Sequence, residues 1–381
     1  MRCISRLYGI VIALPLFIGC VERIEFSRVS DQLIVIDGMI TDDPGPYTIK
    51  VSEGKELEES AEEAIPIPGL TVELFDDLGN TEFFIESTPG TYQTQGQIQG
   101  RIGGSYWVRI STPEGKIYES TPEVLNPVGE IEEIRYEFEE RVSTEDEFLE
   151  EVRADVFNIY FDSKAVSSDE VNYTRWLYTG TYKVLTNPEL NFFWRQGNGL
   201  GMVMWPDPWP CSGHRFIWAG GPSIEQVDPC ICCTCWVYDY EDAPLLTDGQ
   251  LVIDGQFKNV KAAEIPITSA TFYERYRVEI KQMSMTKRAY DFFNLVRDQR
   301  LGADDLFQPI PSEINGNISG VNNNDIVVGI FWASSVTSKV IYIDRDDVPY
   351  PLLPIEPVYE PCDMFYPNST TEQPIEWDDE A

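Results

Sequence analysis

The sequence predicts a mainly β protein: an N-terminal β-sandwich, then a larger antiparallel β domain with one packed α-helix. Three observations carry this expectation. Short alternating apolar runs separated by turn residues recur through residues 31–127 at spacings of roughly 8–12 residues, the rhythm of strands in a sandwich. Longer alternating runs follow within 128–350. Only the stretch 286–300 changes to the period of a helix.

The first element is a targeting segment. The chain opens "MRCISRLYGIVIALPLFIGC", with Arg2 and Arg6 ahead of an apolar run from Leu7 to Ile18. That run is shorter than the roughly 20 residues a spanning helix needs. It reads as a secretory signal over 1–19, excluded from fold reasoning. Gly19-Cys20 resembles a bacterial lipobox, which implies lipid attachment at Cys20 and a tether over 20–30. Several acyl chains on one cysteine anchor a protein stably, since two already suffice.

The sandwich elements come next. "LIVIDGMI" (33–40) reads as a strand with a glycine break, and "YTIKV" (47–51) follows the turn Pro44-Gly45-Pro46. "SEGKELEESAEEA" (52–64) reads as a solvated acidic loop. "GLTVELFDDLGN" (69–80) alternates Leu70, Val72 and Leu74 against polar neighbours before a turn. With Gly90–Tyr92 and Tyr106–Val108–Ile110 it loosely resembles the transthyretin-like and carboxypeptidase-regulatory sandwiches.

In the second domain Ile134, Tyr136 and Phe138 alternate with charged residues. So do Tyr276, Val278 and Ile280 in "TFYERYRVEIKQMS" (271–284), and "QLVIDGQF" (250–257) reads as further sheet. Met285, Ala289, Phe292, Phe293 and Val296 lie on one helix face, with Ser284 or Thr286 as N-cap. That stripe reads as core, with a lipid or partner groove as the alternative. Residues 351–381 form a Pro-rich, acidic tail, with a frayed end expected after Asn368.

The distinctive block is "LFQPIPSEINGNISG" followed by "VVGIFWAS". On Phe307, Pro309, Pro311, Gly316, Asn317, Ile318, Gly329, Phe331, Ala333 and Ser334 the chain resembles a Bacteroidota lipoprotein family, the domain of unknown function 4249. The resemblance spans nearly all of the chain after the signal. It implies an outer-membrane or surface lipoprotein, often encoded beside TonB-dependent transporters, and no established reaction. From the residues alone, the two prolines force extended backbone and Gly316-Asn317 is a turn dipeptide.

"PCICCTCW" (229–236) sets four cysteines in six positions. With Cys3 and Cys20 assigned to the signal and the lipid, six remain: Cys211, Cys230, Cys232, Cys233, Cys235 and Cys362. An exported chain favours disulfides, with one partner of the cluster reaching Cys362 and the adjacent Cys232 and Cys233 facing apart. A thiolate site for a soft metal is the alternative. The same region is dense in aromatics: Trp194, Trp205, Trp209, Trp218 and Trp236 are candidate ligand- or partner-binding residues, weighed against a mini-core.

The formal net charge of −36 argues against nucleic acid and against anionic lipid surfaces as partners. His214 is the one histidine, which nearly removes histidine-dependent catalysis. No catalytic residue, metal site or cofactor is assigned. The expected function is non-enzymatic: a lipid-anchored accessory of a TonB-dependent receptor. The alternatives are a free-standing glycan- or protein-binding adhesin and a metal-binding lipoprotein.

Overall fold

The strand Ile34–Thr41 shows how the first sheet arises. Ile34, Ile36 and Ile40 point into a core and are at most 7% exposed. The strand pairs antiparallel with Thr48–Glu53 and parallel with Val327–Ser334. Thr91–Gln93 and Ile85–Thr88 extend the sheet. These elements belong to a computed structural model that describes residues 33–54, 64–143, 152–166, 173–191, 193–196, 202–205, 208–218, 222–250, 252–302 and 316–378. The signal segment, Cys20, the whole tether, most of the acidic loop, and Phe307, Pro309 and Pro311 lie outside the described residues.

A second sheet faces the first. Its order is Ile318–Gly320, Ile117–Ser120, Ser105–Ser111, Thr71–Asp76 and Thr81–Phe83. Val72, Leu74, Tyr92, Tyr106, Val108 and Ile110 fill the space between the two sheets. Each such large side chain contributes about 1.5–3 kcal/mol by leaving water. The sandwich expected over 31–127 therefore also uses residues 318–334. Without Val327–Ser334 the first strand would be an open edge with unpaired backbone groups.

Residue Ser335 is all that separates this sandwich from the next. Val327–Ser334 belongs to the first sheet, and Val336–Asp344 to a sheet that runs on through Arg275–Ser284, Thr174–Leu185, Thr234–Tyr240 and Ser369–Thr370. Its partner sheet is Ile131–Glu139, Val156–Lys164 and Gln256–Pro266. Phe157, Ile159, Phe161 and Phe257 meet Trp176, Tyr276, Val278 and Ile280 in a second core. Two of its polar groups are paired: Trp176 Nε1 donates to Gln282 Oε1 at 2.8 Å, and Tyr276 OH donates to Asp239 at 3.0 Å, while the fully buried Ser163 Oγ has no partner.

The helix Lys287–Gly302 is capped by Thr286, whose hydroxyl accepts from the Ala289 N–H at 3.2 Å. Met285, Ala289 and Phe293 are buried with Trp332, Ile330 and Met283. Phe292 and Val296, on the same stripe, are only half-buried.

Three expectations are corrected here. Gly38 does not break its strand: it pairs with Ile49, the pairing with Val327–Ser334 continues past it to Thr41, and a Cβ there would sit 2.6 Å from Ile49 Cγ1. The identical tetrapeptide Val252-Ile253-Asp254-Gly255 is instead a turn, with φ of +51° at Asp254 and +75° at Gly255, and the strand starts at Gln256. The tail is also ordered beyond Asn368. Ser369–Thr370 pairs with Trp236–Val237, and Trp377 is 4% exposed against Trp236.

Candidate functional site

A cleft of about 510 Å³ opens beside the packed part of the helix. One wall is the outer face of the first sheet: Val35, Asp37 and Met39, with Lys50, Val328, Ile330 and Trp332 on the neighbouring strands. Arg175, Leu177 and Met283 of the second sandwich line it, as do Phe292, Phe293 and Val296 of the helix. The apolar walls follow from topology. Ile34–Thr41 lies between two neighbours and has its second face turned to the helix side, where Val35 and Met39 are apolar and Asp37 stands between them.

Two charges stand out on these walls. Among the described residues the Asp37 carboxylate has no hydrogen bond and no ion pair within 4.0 Å. The residue is exposed, and the protein packed around it partly desolvates the carboxylate. That desolvation raises its pKa, opposed by the positive charges of Arg175 and Lys50. Arg175 is held more tightly. Its guanidinium lies 4.2 Å from the Phe293 ring centroid and makes a long 3.5 Å contact with Glu241. Its Nε is buried with no hydrogen-bond partner, a state that costs about 1–3 kcal/mol or more for a charged group. Burial lowers the Arg175 pKa, and Glu241 and then Asp37 act against that shift. A guanidinium and a carboxylate thus share an apolar cleft without pairing with each other.

The floor of the cleft is set by close backbone packing. Gly329 has φ of +129°, and a Cβ there would overlap the Ile36 carbonyl oxygen. A Cβ on Gly316 would overlap the Gly329 carbonyl oxygen. Asn317 then mimics a peptide along the outer edge of Val327–Ser334. Its Oδ1 accepts from the Phe331 N–H at 3.0 Å, and its Nδ2 donates to the Phe331 carbonyl at 2.6 Å. Glu123, 1% exposed, ties this corner to the helix by accepting from Arg288, Thr286 and Asn317. Replacing Asn317 by Asp turns the donor into a second acceptor facing the Phe331 carbonyl. Chemical denaturation should show a loss of about 2–4 kcal/mol, with Asn317→Ala losing about 1–3 kcal/mol.

The sequence signature of a family described as a domain of unknown function (DUF4249) matches residues 22–340. The chain belongs to the DUF4249 family. No curated protein matches it. In this DUF4249 chain Gly316, Asn317, Gly329 and Phe331 are accounted for as packing residues that join the first sandwich to the helix and shape the cleft.

The six cysteines form three disulfides: Cys211–Cys232, Cys230–Cys233 and Cys235–Cys362, with Cα separations of 5.6, 5.8 and 5.9 Å. Disulfide sulfur offers no thiolate to a metal, so the soft-metal alternative is not carried further. Cys235 and Cys362 are fully buried with Val184 and Val237.

The tryptophan candidates separate. Trp236 is 7% exposed and packs edge-on against Trp377, so it is a core residue of the DUF4249 fold and not a contact surface. Trp209 is half-buried, its Nε1 buried without a partner. Trp194 and Trp205 lie on the hairpin Phe193–Gln196 and Met202–Trp205, and Trp218 ends the strand His214–Trp218; their side chains lie outside the described set. Neither Trp209 nor Trp236 lines the cleft. Sequence reasoning missed Asp37 and Arg175. The available signal was a lone charge inside an otherwise apolar eight-residue strand.

Proposed function

We propose that this DUF4249 chain is a non-enzymatic binding protein, anchored to the outer membrane by lipid on Cys20, that captures a ligand for a TonB-dependent transporter. The observation that carries the binding role is the apolar cleft with an unpaired carboxylate and an under-paired guanidinium on its walls. Small-molecule sites are largely apolar, sit preferentially between domains and hold few, well-placed polar groups. Among the described residues the lining offers no serine, cysteine or histidine to act as a nucleophile or base between those charges. The Gly19-Cys20 junction supports the anchor, and the strongly acidic composition suits an exposed ectodomain.

A free-standing adhesin is the second reading. It draws on the outer face of the first sandwich, where Phe75 stacks on Trp107 at 5.6 Å, Arg109 lies 5.4 Å from the Phe75 centroid and Phe83 is 57% exposed. Purifying the lipidated protein from its own outer membrane in mild detergent separates the two. A stoichiometric TonB-dependent receptor, identified by mass spectrometry, is the expected result. Recovery of the protein alone would remove the transporter from this account and leave the adhesin.

A further inference from the structure

The cleft carries a more specific reading, which rests on its being the binding site. We propose that it takes a short zwitterionic ligand with an apolar body: an apolar amino acid, or a di- or tripeptide, whose carboxylate meets Arg175 and whose ammonium meets Asp37.

Charge arrangement is the first argument. Asp37 and Arg175 influence each other electrostatically, yet no nitrogen of one lies within 4.0 Å of an oxygen of the other. Each also keeps unused capacity. The exposed Asp37 carboxylate accepts no hydrogen bond from the described residues, and the guanidinium of Arg175 makes only one long contact, to Glu241. A guanidinium presents its donors as a planar fork, which matches a carboxylate.

The neighbours then select against simpler ligands. A purely anionic ligand drawn to Arg175 would face Asp37, with Glu241 behind the guanidinium. A purely cationic ligand drawn to Asp37 would face Arg175 and Lys50, with Arg300 nearby. A molecule with both charges answers both walls. Its body would lie against Phe292, Val296, Leu177, Ile330 and Trp332, none of which offers a charge. A volume of about 510 Å³ holds a ligand of this size and not a folded partner.

The test is calorimetric titration of the purified full-length chain with four forms of leucyl-phenylalanine: free, N-acetylated, C-amidated and blocked at both ends. The free form should bind roughly 10-fold or more tightly than either half-blocked form, as expected for loss of one charge-assisted contact. Asp37→Asn should erase the preference for the free ammonium, and Arg175→Gln the preference for the free carboxylate. The Asp37 side chain makes no hydrogen bond or ion pair within 4.0 Å among the described residues, so Asp37→Asn keeps the test open even if Arg175→Gln unfolds. Equal binding of all four forms overturns the zwitterion while leaving the cleft as an apolar site. A preference for one charge alone replaces it with a simple anion or cation. Failure of all four, the doubly blocked form included, overturns this proposal and the cleft reading together.

Discussion

Gly329→Ala is expected to destabilise the protein by about 3–5 kcal/mol, read as a shift in the denaturant midpoint. Two costs add. A φ of +129° is a backbone region that alanine enters only with strain, roughly 1–3 kcal/mol. The new Cβ also overlaps the Ile36 carbonyl oxygen, which lies within the sheet and cannot move without breaking strand pairing, roughly another 1–3 kcal/mol. Gly79→Ala is the control. Gly79 has φ of +86° but nothing within 4 Å of its Cβ position, so it carries only the backbone cost of about 1–2 kcal/mol. Equal losses in the two variants would show that backbone proximity at Gly329 is not what the glycine serves. The expected loss is a large part of the roughly 5–15 kcal/mol that holds an ordinary domain folded.

The second large effect is expected from the Cys235–Cys362 disulfide. It joins positions 127 residues apart, and cross-linking a loop of that length constrains the unfolded chain by about 5 kcal/mol in the entropic picture. Measured losses usually fall in the range of about 2–5 kcal/mol. The double variant Cys235→Ala, Cys362→Ala should fall there. It should also release the tail, because Ser369–Thr370 and Trp377 are held against Trp236 close to this bridge. Limited proteolysis would then cut beyond Pro361 in the variant and not in the parent. Removing Cys230–Cys233, which spans only 3 residues in sequence, should cost about 2 kcal/mol or less and leave the tail protected. The reverse order of the two losses would contradict the assignment of Cys235–Cys362 as the main clamp.

How far the sequence reveals this fold depends on whether neighbours in sequence or neighbours in space decide each segment. Alternation in Tyr276, Val278 and Ile280 gave the core face directly, because one side of that strand meets a sheet. The stripe Met285, Ala289, Phe293 gave the helix for the same reason. The tetrapeptide Val-Ile-Asp-Gly shows the limit. At 35–38 it runs straight between two partner strands, and at 252–255 it turns, with Ile253 67% exposed. Nothing local distinguishes the copies; pairing with a strand some 290 residues later does. That pairing also explains why the sandwich could not be closed from residues 31–127 alone.

The candidate site was less visible than the fold. Its polar groups come from positions 37, 50 and 175, and its walls from the helix and Val327–Ser334. No motif spacing links them, because the topology and not the local chain brings them together. The aromatic density at 192–240 drew the recognition argument instead. Trp236 within it is explained by burial under the tail, a contact that rests on Trp377, 141 residues away.

The central claim is that the cleft beside the helix is where this protein holds a ligand. Val296→Trp tests it most directly, since Val296 lines the cleft from the helix side and is half-buried, so a larger ring fills the space without entering either sandwich core. The parent and variant proteins would be purified from their native membranes, matched for melting temperature, denatured, and analysed by mass spectrometry for released small molecules. The account predicts a stoichiometric molecule from the parent and none from the variant. Release of the same molecule from both, or from neither, would contradict it.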